Sequence, residues 1–390
     1  MKNASPAELA ALRKRAAQIA GRKEPLEAAV RRVMRQNRIL GLSLVLCHPD
    51  GSNTFLHEGC ARLSPRIPVT RETCFRTASV SKLVMSFVIL HLCEIGWLNL
   101  DEDVSDTLEF PVRSPHYPDV PITLRMLLTH TSGIRDEGNY GTLGMQPGTT
   151  LDTLLADPQN WTDKRPGEAF HYSNLGAGAA GVVAECAADS RFDSLLQNLL
   201  SIPLDVRMSY NPGAIDPTDD LANGYSVRGI LPPRLRYDAE RLAKAAQENR
   251  RPFNPLEDYL VTAGRLITDS KGMAALIRLL ASDGVVNGQR ILQKASLDEI
   301  RAFQDGRPGI TCAGRGLNTA FLPGVFPGHD VLGHQGVAYG MCAELFADPQ
   351  NHCGVGVMTS GTRLVKTAPL MRAGFDLLAL GFASLNSHHA

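Results

Sequence analysis

Residues 79–98 read SVSKLVMSFVILHLCEIGWL, too long and too evenly apolar for a strand and suited to a helix buried in a core. A chain of 390 residues with 44% hydrophobic side chains has the material to surround such a helix, as one complex domain or two intimate ones. The head of the segment carries two polar residues, Ser79 and Lys82, three positions apart. At that spacing they share a helix face, so the hydroxyl and the amine can meet where the helix begins. Desolvation and the helix dipole both disfavour a charged amine there, so Lys82 could accept or relay the proton of Ser79. The same helix start leaves the Ser79 amide unpaired and able to stabilise an oxyanion. Taken alone the SxxK pattern is weak, since chance supplies one in roughly every second chain of this kind.

The bulk numbers exclude several classes. Forty basic and forty acidic side chains cancel, and no long run of either sign points to nucleic acid or an anionic membrane surface. A small or neutral partner is the expectation, with oligomeric state left open. The first 36 residues alternate charges with alanines and lack the apolar stretch of a secretory signal. They read as helical, and the chain reads as cytoplasmic. No segment offers about 18 consecutive apolar residues, so no membrane span is expected. Cys47, Cys60, Cys74, Cys93, Cys186, Cys312, Cys342 and Cys353 are scattered without a CxxC pair or a compact zinc spacing. They read as buried thiols in a reducing compartment.

Along the chain, LEAAVRRVMRQNRIL (26–40) reads as a helix. GLSLVLCH, the turn PDGSN and TFLHEG read as a hairpin. Between about 111 and 254 the composition shifts to short helices punctuated by Pro and Gly, a largely helical insertion. One helix is expected over 260–283 after a loop at Gly264. VAYGMCAELFADP, the turn PQNH and CGVGVMTSG read as a second antiparallel hairpin, followed by a C-terminal helix through VKTAPLMRAGFDLLALGF. Strands at both ends imply one sheet assembled from both termini. The expected division is therefore 1–110 with 255–390 as an α/β sheet subdomain and 111–254 as a helical one, the active site lying between them.

Two further stretches raise the value of the SxxK pattern. PGEAFHYSNLGAG contains Tyr172-Ser173-Asn174, and GHQGVAYG contains His334-Gln335-Gly336 at the start of an expected strand. In this order and distribution the three stretches resemble the serine β-lactamase and penicillin-binding protein superfamily, specifically its class C-like branch of esterases, D-amino-acid peptidases and lactamases. ITLRMLLTHTSGI (122–134) and LVTAGRLITDSKGMAALIRLLASDGVVNGQRIL extend the resemblance, which runs from about Leu42 to the C-terminus. It implies an α/β (α+β) fold of the β-lactamase/transpeptidase type, an antiparallel sheet flanked by helices with a mostly helical inserted subdomain.

Carried onto this chain, the resemblance makes Ser79 the acyl-accepting nucleophile and Lys82 its partner. Tyr172 would take the serine proton and later activate the hydrolytic water; a loop-packing aromatic is the plain alternative. Asn174 would hydrogen-bond the Lys82 amine and the substrate amide, against the plain alternative of a helix cap. At the third motif the chain departs from lactamases and transpeptidases, which place Lys-Thr/Ser-Gly there to hold a substrate carboxylate. Here the position carries His334, and a histidine, mostly uncharged at neutral pH, is a poorer anchor for an anion. The change therefore favours esters, amides or peptides without an obligatory carboxylate over β-lactams; some esterases and D-aminopeptidases of the superfamily resemble this chain in having His-x-Gly, so it does not argue against catalysis. Gly336 would let substrate lie close to the edge strand, and the Val337 amide would be the second oxyanion donor.

His130 in LLTHTSG reads as structural or supporting. His91 and Glu94 share a helix face without an HExxH pattern, so no metal is expected, and no cofactor is required. No GxSxG elbow, Walker loop or GxGxxG fingerprint occurs, and the histidines near the C-terminus read as a solvated tail. Three readings follow: an esterase or D-peptidase; a β-lactamase or penicillin-binding D-Ala-D-Ala carboxypeptidase; and a ligand-binding relative without catalysis, which an intact Ser-Lys-Tyr set argues against. Substrate choice is expected to reside in the loops 136–148 and 225–254.

Overall fold

The strand Gly41–Cys47 is buried along its whole length, and its side chains divide by alternation between two cores. Leu42, Leu44 and Leu46 enter one core with Leu12, Val33, Phe375 and Phe382. Val45 and Cys47 enter the other with Val84, Phe87, Met273 and Ile277. The strand thus lies at the centre of a layered molecule. One layer of helices, Pro6–Ala20, Leu26–Asn37 and Arg372–Asn386, covers one face of the sheet. The other face carries Ser270–Ala281 and, against the strands His329–Ala338 and Met341–Asp348, the buried helix Val80–Glu94. The computed structural model describes residues 5–138, 146, 148–249, 252–302, 315–367 and 369–386.

The main sheet has eight strands in the order Arg315–Gly316, Thr319–Phe326, His329–Ala338, Met341–Asp348, Cys353–Thr359, Gly41–Cys47, Asn53–Leu63, Arg66–Pro68. Every neighbouring pair in it is antiparallel. Chain from both ends therefore meets in one sheet, at the register Leu44↔Val357. Gly354 and Gly356 make this possible on the helical face. A Cβ on Gly354 would stand 2.5 Å from Ile277 Cγ2, and one on Gly356 would stand 2.4 Å from Met273 Cγ, so the helix Ser270–Ala281 settles directly on the strand. Residues 111–254 supply mostly short helices, the longer helix Asn174–Ala188, and the short strands Met208–Ser209, Gly224–Ser226 and Arg234–Tyr237.

Both hairpin turns stand where the sequence places them, and Ser5 and Glu8 form a capping box on the first helix. The helix expected over 26–40 stops at Asn37, where Arg38 turns left-handed (φ +51°), and the C-terminal helix starts only at Arg372, because Lys366–Thr367 and Leu370–Met371 pair as a two-stranded sheet ahead of it. Three further expectations need correction. The helix beginning after Ser79 stops at Glu94, because Gly96 takes a left-handed conformation (φ +77°) and the Trp97 amide turns back to Leu92 O; Trp97 is left exposed. The span 260–283 is not one helix. A turn, Val261–Gly264, leads to the two-residue strand Ile267–Thr268, fastened between Phe75–Arg76 and Met208–Ser209. Asp269 then caps a new helix by accepting from the Gly272 amide. VAYGMCAELFADP is likewise two strands, broken at Tyr339 and Gly340, which both have positive φ as a tight hairpin turn requires.

Among the described residues no helix is long and apolar enough to cross a membrane. Cys47, Cys60, Cys74, Cys342 and Cys353 are buried free thiols and Cys93 and Cys186 are half-buried ones. Cys312, the terminal His388–His389 pair and parts of the loops 136–148 and 225–254 lie outside the described residues.

Candidate active site

The Ser79 turn is pinned before its helix starts. Phe75–Arg76 pairs with Ile267–Thr268, and the Thr77 amide and hydroxyl both donate to Leu266 O, at 2.8 and 3.1 Å. Ala78 then adopts a left-handed conformation, φ +47°, which costs a residue with a Cβ about 1–2 kcal/mol. That bend turns the chain into the helix Val80–Glu94 with Ser79 at its N-cap, partly accessible. The Ser81 hydroxyl accepts from the Leu266 amide at 3.0 Å and so locks the far side of the turn.

Lys82 is fully buried. Its Nζ donates to Ser79 Oγ at 3.3 Å, Asn174 Oδ1 at 2.8 Å and Ala263 O at 2.5 Å. The three N–H donors of an ammonium thus have three acceptors, and the hydroxyl of Ser79 is one of them. Ala263 belongs to the Val261–Gly264 turn and Asn174 opens the helix Asn174–Ala188, so three segments distant in sequence converge on one nitrogen.

The orientation of Asn174 has its own cause. Its Nδ2 donates to Asp136 Oδ2 at 2.8 Å, which leaves Oδ1 for Lys82. Asp136 also accepts from the Asn174 amide, the Leu175 amide and the Ser173 hydroxyl, at 2.8, 3.1 and 2.8 Å. A carboxylate saturated at the positive end of a 15-residue helix is favourably placed. Sequence reasoning missed Asp136 as a site residue. Only its nearness to the HTSGI stretch offers a sequence signal, since its partners lie 37 to 39 positions downstream.

Tyr172 sits with its ring centroid 5.1 Å from Lys82 Nζ, 4.5 Å from the His130 ring and 6.3 Å from the His334 ring. Among the described residues no hydrogen bond joins its hydroxyl to Ser79 or Lys82. His130, held at φ +58°, accepts from the Ser173 amide through Nδ1 and from the His171 amide through its carbonyl. It shapes the segment that presents Tyr172 and Asn174.

His334 lies in the middle of the strand His329–Ala338, not at its start, because the strand begins at the hairpin after Phe326. Its Nδ1 lies 2.6 Å from Gln335 O; a carbonyl only accepts, so Nδ1 carries the proton and Nε2 keeps a lone pair when the ring is neutral. Gly336 has a use the sequence did not suggest. A Cβ there would fall 1.9 Å from Thr77 O and 2.8 Å from the Ser79 amide nitrogen. The close approach it permits is that of the Ser79 turn itself, and it sets Val337 beside that turn. Gln335 points to the opposite face, where its Nε2 donates to the fully buried Glu344 at 2.5 Å and its Oε1 accepts from the Met371 amide at 3.2 Å. Burial pushes the Glu344 carboxyl up to about 8.

The other residues singled out in sequence have structural uses. His91 contacts Ile291 O, and Glu94 accepts from the Gln293 amide and the Ser296 hydroxyl. A buried group not foreseen, His329, Asp348 and Cys353, brings three metal-ligating atoms within 4.8 Å of one another. Within it His329 Nδ1 donates to Asp348 Oδ2 at 2.9 Å, while Asp348 accepts from the Gln350 and Asn351 amides. Those contacts organise a hairpin turn.

A family model described as Beta-lactamase matches residues 26–376. The chain is 25% identical over 216 residues to a beta-lactamase of Providencia stuartii, covering 55% of this chain and 53% of that one. It is 28% identical over 198 residues to esterase EstB of Burkholderia gladioli, covering 47% and 50%. The chain thus spans about half the length of these curated relatives. In fold it is similar to the D-amino acid amidase of Ochrobactrum anthropi SV3, with a TM-score of 0.71 and 19% identity over 93% of this chain and 99% of that one.

Proposed function

The chain belongs to the Beta-lactamase family, and on that premise we propose that it is a serine hydrolase acting through an acyl-enzyme on small ester or amide substrates, D-amino-acid peptides among them. The observation that carries the reading is the buried Lys82 amine, hydrogen-bonded at once to Ser79 Oγ and Asn174 Oδ1. The active site lies between a helical portion, 111–254, and a sheet portion formed by 1–110 with 255–390. The free, mostly buried thiols support a reducing, cytoplasmic setting.

Ser79 Oγ attacks the substrate carbonyl while its proton passes into the Lys82–Tyr172 pair. The developing oxyanion is held by the Ser79 and Val337 amides. Collapse of the tetrahedral intermediate breaks the bond to the leaving group, which departs with that proton. Water then attacks the ester on Ser79, giving up a proton to the same pair, and the acid is released with Ser79 reprotonated. Asn174 holds Lys82 and offers its amide to the substrate, and His334 flanks the carbonyl from the strand. The absence of a lysine at His334 supports esters and amides ahead of β-lactams.

The test is a panel of p-nitrophenyl esters and D-aminoacyl amides assayed with wild type and Ser79→Ala, beside intact-protein mass after exposure to a penicillin. Turnover lost in Ser79→Ala with the fold intact is expected. Turnover retained in that variant overturns the reading, and a long-lived penicillin adduct on wild type alone moves it to the penicillin-recognising branch, for which the relative in Providencia stuartii speaks.

A further inference from the structure

The hairpin formed by Gly224–Ser226 and Arg234–Tyr237 carries an apolar tip into solvent. Val227 is buried at its base, and the chain then turns over residues 228–231, where the Leu231 amide donates to Arg228 O at 3.0 Å around Gly229 at φ +48°. Ile230 stands at the corner of that turn and is 98% exposed. Leu231 is 62% exposed, and Leu235 on the returning strand is exposed as well. Pro232 and Pro233 stiffen the return, and Arg38 Nη2 donates to Leu231 O at 3.2 Å, which fixes the tip in its projecting position.

The ground around the tip is cationic. Residues 227–237, VRGILPPRLRY, hold three arginines and no acid. Gly361–Thr362 pairs in parallel with Tyr225 and Ser226, and the chain leaving it, RLVK (363–366), adds Arg363, the exposed Leu364 and Lys366, again without an acid. Arg228, Arg234, Arg236, Arg363 and Lys366 are all exposed, and among the described residues none of the five enters an ion pair. Over the whole chain forty cations and forty anions cancel; this local excess arises only when folding brings the two segments together.

Single apolar residues on a surface are ordinary. Four of them on neighbouring segments, set among uncompensated cations, form a patch that selects its occupant. A polyanion such as nucleic acid answers the arginines and leaves Ile230 and Leu231 in water. A second copy of this chain, meeting through the same patch, sets cation against cation. An anionic phospholipid surface meets both demands, with headgroups facing the guanidiniums while the two aliphatic side chains enter the acyl boundary.

We propose that the tip at residues 228–236, together with residues 363–366, docks this protein on anionic phospholipid bilayers. Such attachment is interfacial and needs no spanning helix. At its other end the hairpin is built onto the candidate site: the Tyr237 ring stacks on that of Tyr339 at 5.9 Å, two residues after Val337.

The test is co-sedimentation of the full chain with vesicles of phosphatidylcholine alone and of equal parts phosphatidylcholine and phosphatidylglycerol. Wild type is expected to bind the anionic vesicles, to bind the neutral ones far more weakly, and to be released by high salt. Arg234→Gln/Arg236→Gln should weaken the partition by about fivefold for each cation removed. Ile230→Ser/Leu231→Ser, which leaves the charge untouched, should weaken it by about tenfold or more. Thermal unfolding confirms that both variants fold. No binding by wild type, equal binding to the neutral vesicles, or binding unchanged in either variant overturns the inference. A vesicle-free dimer that dissociates in Ile230→Ser/Leu231→Ser assigns the patch to self-association and overturns it too. None of these outcomes touches the hydrolase reading, which Ser79→Ala tests separately.

Discussion

Lys82 Nζ and Asn174 Oδ1, 92 residues apart in sequence, lie 2.8 Å from each other in the core. The pair links the helix that begins at Ser79 to the helix that begins at Asn174, and from this position Lys82 also meets Ser79 Oγ at 3.3 Å. Asn174→Ala should therefore lower kcat/KM on the best ester by about 100-fold, since small misplacements of a reacting group cost that much. Lys82→Met should abolish burst-phase acylation. It also strands the buried acceptor Ala263 O, at a cost of about 1–3 kcal/mol, and leaves the half-buried Asn174 Oδ1 without its cation. Ester kinetics and urea unfolding on the two variants check both claims, and an unimpaired burst in Lys82→Met would count against its role.

Asp136 is bonded to both the amide and the Nδ2 of Asn174, and in the proposed mechanism it acts through that residue. Asp136→Asn keeps the shape but removes the charge at the helix N-terminus and replaces acceptor capacity with a donor facing backbone amides. The expected result is a loss of about 1–2 kcal/mol in stability and a fall in kcat with KM nearly unchanged. A purely structural role would lower stability alone. Steady-state kinetics run well below the unfolding midpoint separate the two.

Gly336→Ala tests the packing of the motif strand on the Ser79 turn. A Cβ 1.9 Å from Thr77 O cannot be accommodated without shifting backbone on one side. Overpacking of this kind costs about 1–3 kcal/mol, and here the displaced atoms include the Ser79 amide. Activity should fall by about 100-fold or more even at temperatures where the variant is fully folded. Near-normal kcat in a folded Gly336→Ala would show that the turn can retreat without losing its geometry.

How much of this was legible in the sequence depended on how local each relationship is. Ser79 with Lys82, and Tyr172 with Asn174, are short-range patterns at helix starts, so spacing alone places each pair on one structural element. The buried helix at 80–94 and the strands 41–47 and 353–359 announce themselves by apolar length and alternation. Asp136 is invisible because its bonds cross to residues 173–175, and nothing in its neighbours marks a carboxylate as a cap for a distant helix. The two-residue strand Ile267–Thr268 is hidden for a related reason. Its identity comes from partners at 75–76 and 208–209, while its own residues continue the apolar run of a helix. Tyr339–Gly340 lacks the Asn-Gly or Asp-Gly signal of a tight turn, so in the sequence two strands read as one and His334 falls at a strand start.

Glu344 supplies a prediction in pH. Its carboxyl, buried between sheet and C-terminal helix, titrates near 8 in the folded chain against an ordinary 4.5, so the native state keeps a proton that the unfolded chain loses. A raised pKa of this kind contributes stability that is fully present below about pH 4.5 and is lost as pH climbs to about 8. Wild type should lose roughly 1 kcal/mol per pH unit from this group across that window, and Glu344→Gln should remove the slope while keeping a neutral amide beside Gln335. Because Gln335 lies between His334 and Gly336, ionisation of Glu344 bears on the motif strand as well, so the alkaline limb of kcat should also flatten in Glu344→Gln. Urea midpoints and kcat measured from pH 5 to about 9 on both proteins decide the matter. Parallel stability curves would show that the carboxyl keeps its proton in neither state or in both.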